Sequence, residues 1–160
     1  MPLKELLPEC IPFHPITALL LHPIFKSKLA QNERSLFAFL TSNEPYSFSE
    51  WNSRTDIINE ICWYNLDDMY DYITTALGPK TFFGEFSRRW QEIDYALARV
   101  DADAPPSIDS LIKCIGLLAI YGKHLGISAS KDILSLIVED LEEKLTYLER
   151  KSIVIYRRFE

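Results

Sequence analysis

The segment closest to a known chemical signature is GLLAIYGKH, Gly116 to His124. A phosphate-binding loop has about four residues between its two glycines, and a Lys and a hydroxyl residue follow the second glycine. Here five residues separate Gly116 from Gly122, and His124 stands at the hydroxyl position. The loop must also follow a β-strand, whereas this segment continues a helical pattern of apolar residues. The sequence therefore predicts a helix and a turn here, without a phosphate loop.

Three carboxylates, Asp67, Asp68 and Asp71, share one face of a predicted helix. Carboxylates at this spacing could bind a hard cation, but such an ion takes about six or more oxygen ligands. We therefore expect a solvated helix face and no metal site.

The histidines and cysteines suggest no catalytic or metal centre. Cys10 and His14 have a C-x-x-x-H spacing, and two ligands do not complete a zinc site. The three cysteines are far apart, which favours a reducing cytoplasm over a disulfide scaffold. Since no nucleophile and base can be paired from the sequence, we expect the chain alone to have no catalytic residue and no cofactor.

Composition and charge narrow the class of protein. The chain has 160 residues, of which 48% are apolar, and this suits one domain or two small ones with a packed core. Its net charge of −6 does not attract nucleic acid or an anionic membrane. The longest apolar run, residues 16–24, is interrupted by polar residues and a proline, so we expect no membrane span.

The periodicity predicts a mainly α protein in two subdomains, 1–101 and 107–160, joined by the linker DADAPP. In the first, helices are expected from Pro15, broken or kinked at Pro23, then from an Asn32 N-cap to about Thr41, and over residues 66–77 and 81–100. The segment 42–56 is predicted to be a loop with at most one turn, near Phe48 to Trp51.

The second subdomain has the element order of a winged helix. Helices are predicted over 108–121, with Ser107 as N-cap, over 131–137, with Ser130 as N-cap, and over 139–151. The β-branched segment SIVIYRRF, residues 152–159, predicts one strand of the wing. The second strand of a wing would lie beyond Glu160, so this strand is expected to pair within the chain, with 57–64 as a weak candidate, or across a dimer.

A winged helix raises the possibility of DNA binding. The third helix should present Glu139, Glu142, Glu143, Thr146, Tyr147 and Arg150 to solvent, which is too acidic a surface to approach phosphates. A small basic cluster, Lys151, Arg157 and Arg158, is the alternative nucleic-acid contact. We consider packing against another domain the better interpretation.

Two stretches resemble parts of large bacterial P-loop ATPases of the AAA+ and STAND type, some of them linked to phage defence. HPITALLLHPIFKSKLAQNERSLFAFLTS is similar to the segment that follows their nucleotide-binding core, and residues 111–159 resemble the winged helix that comes next. The resemblance implies a lid and winged-helix portion of such a protein, with a truncated wing. ATP and Mg²⁺ would then belong to a larger parent.

The same resemblance implies a nucleotide-sensing role for Arg34, with Asn32 and Glu33 beside it. The alternative is that Asn32 caps a helix and Arg34 pairs with a nearby acid. We expect a non-catalytic regulatory or interaction module of a cytoplasmic ATPase, bound to other domains of the parent or to another chain. The alternative function is a stand-alone winged-helix nucleic-acid-binding protein.

Overall fold

The computed structural model describes residues 9–27, 36–55, 62–78, 84 and 86–153 of the chain. These residues are mainly helical, as predicted, and contain eight α-helices and no sheet. The chain divides into two compact units, Met1–Phe83 and Gly84–Glu160. None of the helices in the described ranges has both the length and the apolar character needed to cross a bilayer.

The described residues of the first unit form four helices. They are α1 (Pro15–Lys26), α2 (Leu36–Thr41), α3 (Phe48–Arg54) and α4 (Leu66–Leu77). Helix α1 starts where predicted, because His14 Nδ1 accepts a hydrogen bond from the Ile16 amide at 3.3 Å and Pro15 occupies the first turn. It continues through Pro23 to its last residue, so the helix is not broken there, and the alternative of a kink at Pro23 stays a prediction.

Helix α3 is longer than the single turn predicted from the sequence. The Ser47 hydroxyl caps it by accepting from the Glu50 amide at 3.2 Å, and it donates to the Ser42 carbonyl at 2.7 Å. Arg54 pairs with Glu50 one turn earlier, at 3.1 Å. This S-x-x-E capping pattern was present in the sequence, although the polar residues around it obscured it.

Aromatic side chains form the core of the first unit. Phe39 and Tyr64 are fully buried and lie in edge-on contact, with ring centroids 5.5 Å apart. A single parallel β-bridge joins Phe13 to Tyr64, and the Tyr64 hydroxyl donates to the Tyr46 carbonyl at 2.8 Å. Tyr64 thus pairs with the chain before α1, through backbone hydrogen bonds to Pro12 and His14.

The second unit is built from the remaining helices. They are α5 (Ser87–Ala98), α6 (Ile108–Leu117), a π-helical turn (Leu118–Gly122), a 3₁₀ turn (Lys123–Leu125), α7 (Lys131–Leu134) and α8 (Leu141–Arg150). The interpretation of Gly116–His124 as helix and turn is therefore confirmed. Ser130 caps α7 as predicted, by accepting from the Ile133 amide at 3.4 Å.

The division between the units comes before α5, and the predicted linker lies inside the second unit. The reason is the packing of α5 along α6. A Cβ atom on Gly116 would lie 2.4 Å from both Cγ1 and Cδ1 of Ile93, so the glycine allows the two helices to approach closely. The segment DADAPP, which was predicted to link two subdomains, is instead a turn between two packed helices of the second unit.

Two expectations for the second unit differ from the structure or lie outside its described part. Ser107 does precede α6, but it has a left-handed backbone (φ 58°) and its side chain makes no capping hydrogen bond. The predicted strand 152–159 is described only as far as Ile153, and residues 154–160 lie outside the described part of the chain.

Candidate functional site

The surface around α8 carries several exposed charged side chains. The helix buries Leu141, Leu145 and Leu148, as predicted, and leaves Glu142, Glu143, Thr146 and Arg150 exposed. The prediction that Tyr147 faces solvent is wrong, because its side chain is only 3% exposed. Its hydroxyl accepts a hydrogen bond from the Asp101 amide at 3.1 Å, which satisfies the polar end of the buried ring.

Cations around α8 are bound by groups of the same unit. Lys131 Nζ lies 2.8 Å from a Glu142 carboxylate oxygen, and the buried Lys144 donates to the Glu139 carbonyl at 2.8 Å. Arg150 lies over the Tyr147 ring, with its guanidinium carbon 5.7 Å from the ring centroid. Lys131, Lys144 and Arg150 therefore already contact a carboxylate, a carbonyl and an aromatic ring of the same unit.

Lys151 is the one member of the predicted basic cluster that lies in the described part of the chain. It too is bound by groups of its own unit. Its Nζ binds the Asp101 carboxylate at 2.5 Å and lies 3.6 Å from the Asp103 carboxylate. The hydrogen bond that Lys151 donates to Asp101 is the main cause that raises the Lys151 pKa, and the negative charges of Asp101 and Asp103 raise it further. Two carboxylates thus surround the amine proposed to contact DNA, while Arg157 and Arg158 lie outside the described residues.

Two surface depressions beside α8 are lined with carboxylates. One, of about 580 Å³, lies between α7 and the start of α8, with Asp132, Asp140, Glu142 and Glu143 in its wall. The other, of about 380 Å³, shares Glu142 and Glu143 and adds Asp103. We call this surface the acidic face of α8. The same walls also contain Lys131 and Arg150, but the carboxylates outnumber these two cations, so the surface is net negative.

Arg99 lies beside this surface and was not singled out from the sequence. Its guanidinium donates to the Lys151 carbonyl at 2.7 Å and to the Ser152 carbonyl at 3.0 Å, two acceptors beyond the C-terminus of α8. This arrangement ties the end of α5 to the end of α8. Since the contact spans 52 residues of sequence, no local pattern could have indicated it.

The predicted nucleotide-sensing residues Asn32, Glu33 and Arg34 also lie outside the described residues. The structure describes the helix that follows them, α2, which ends at Thr41 as predicted. The role of Arg34 stays a prediction that follows from the resemblance alone.

The carboxylates of α4 form a second charged group, in the first unit. The Asp68 carboxylate accepts a hydrogen bond from the Asn65 amide at 2.9 Å, which caps the start of the helix. Burial raises the Asp68 pKa to about 6; the Asn65 hydrogen bond and Arg54 lower it, whereas Asp67 and Asp71 raise it further. Asp68 is thus a structural cap with a perturbed pKa.

The histidines and cysteines weighed for metal binding are also placed. His14 is buried, with its ring 6.0 Å from that of Trp63 and edge-on to it, and His124 is exposed as expected. Cys10 and Cys62 are half-buried, and Cys114 is buried. Within the described ranges, no three His, Cys, Asp or Glu side chains are grouped so as to hold a metal ion.

Comparisons with protein-family models, with curated proteins and with solved structures gave no match to this chain.

Proposed function

We propose that this chain is a non-catalytic interaction and regulatory module of a larger P-loop ATPase. The order of its two resembling stretches suggests that it follows a nucleotide-binding core. In this proposal the helices of the first unit respond to the nucleotide, with Arg34 as the sensing residue. The second unit, a winged-helix-like domain, carries the response to a protein partner.

The acidic face of α8 is the observation that supports a protein partner. In a winged helix the third helix is the usual reader of DNA, and here it is α8. Binding of a phosphate backbone would need cations to be released from Glu142 and Asp101 and carboxylates to approach phosphates. A basic protein surface, by contrast, meets Glu143 and its neighbours with opposite charge. The internal pairing therefore favours the interaction module over the nucleic-acid-binding alternative.

The test starts from the coding sequence on both sides of this segment. If it encodes a nucleotide-binding core, that core is purified and titrated with the present chain in the presence of ATP or ADP. We expect saturable binding whose affinity differs between the two nucleotides. Neighbouring coding sequence without any nucleotide-binding domain would refute membership in an ATPase.

A matched pair of charge reversals tests the acidic face. Glu143→Lys changes a residue in both depressions, while Glu149→Lys makes the same charge change on the same helix outside them. If the acidic face holds the partner, Glu143→Lys weakens binding and Glu149→Lys does not. Equal effects of the two variants would show that the partner binds elsewhere.

Fluorescence anisotropy with a labelled DNA duplex at low salt examines the alternative function. We expect no binding by the wild-type chain. A binding constant that falls steeply as salt is added would favour the nucleic-acid-binding protein over the interaction module.

A further inference from the structure

We draw no further inference here: the strongest candidate, the apolar cleft of about 170 Å³ between α5 and α6 with Ile93, Ile112 and Ala119 in its wall, carries none because nothing in the described part of the chain shows what covers it.

Discussion

Asp68 offers the sharpest test of the electrostatics in the first unit. The carboxylate is needed as an acceptor for the Asn65 amide, yet burial disfavours its charge. Asp68→Asn keeps an oxygen at the same place and removes the charge. We therefore expect the variant to be more stable than wild type at neutral pH, although it loses a residue that favours the helix dipole.

The magnitude follows from the pKa shift. The Asp68 pKa rises from 3.8 to about 6, and each unit corresponds to about 1.4 kcal/mol, so the full penalty is about 3 kcal/mol. The folded state binds more protons than the unfolded state between these two values. This group's contribution to the free energy of unfolding therefore falls as pH rises from about 4 to about 6 and then stays constant. Asp68→Asn should recover most of that loss at pH 7 and none of it at pH 3.

Urea denaturation at a series of pH values measures the effect. A Trp90→Phe background removes the buried tryptophan of the second unit, so fluorescence reports the tryptophans of the first unit, Trp51 and Trp63. Asp67→Asn is the matched control, because it removes the same charge from the neighbouring position and should leave most of the pH dependence in place. If Asp68→Asn destabilised the unit at neutral pH, the charge would be a net stabiliser of the helix start and our reasoning would be wrong.

Three further changes test the packing and capping of the second unit. Gly116→Ala should destabilise it by about 1–3 kcal/mol through overpacking against Ile93, and the double variant with Ile93→Ala should lose less than the sum of the single effects in urea titrations. Arg99→Ala should cost about 1 kcal/mol and speed amide exchange in the last turn of α8, whereas the exposed Arg88→Ala should change neither. Ser130→Ala removes the cap of α7 and should lower the free energy of unfolding by about 1 kcal/mol, and an unchanged urea midpoint would show that the cap is dispensable.

The helical class and the elements with strong local signals could be predicted from the sequence. Helix α4 ends just before Gly78, α7 begins after Ser130, and α8 buries its leucines, because caps and apolar spacing act over a few residues. The same locality explains why Gly116–His124 could be recognised as helix and turn. These features depend on residues a few positions apart in sequence and do not require a long-range contact.

Two features could be known only from the tertiary structure: the placement of α5 in the second unit, and the pairing of the lysines around α8 with acceptors of the same unit. Helix α5 joins the second unit because Gly116 accepts Ile93, and the sequence cannot show which distant side chain fills the space above a glycine. Lys131, Lys144 and Lys151 look like free cations in the sequence, yet each binds a carboxylate or carbonyl that folding brings to it. The burial of Tyr147 and the hydrogen bond from Arg99 to the Lys151 carbonyl likewise depend on residues distant in sequence. Contacts between residues that are tens of positions apart depend on how the helices pack. A sequence pattern shows which face of a helix is apolar, but it does not show which other helix covers that face.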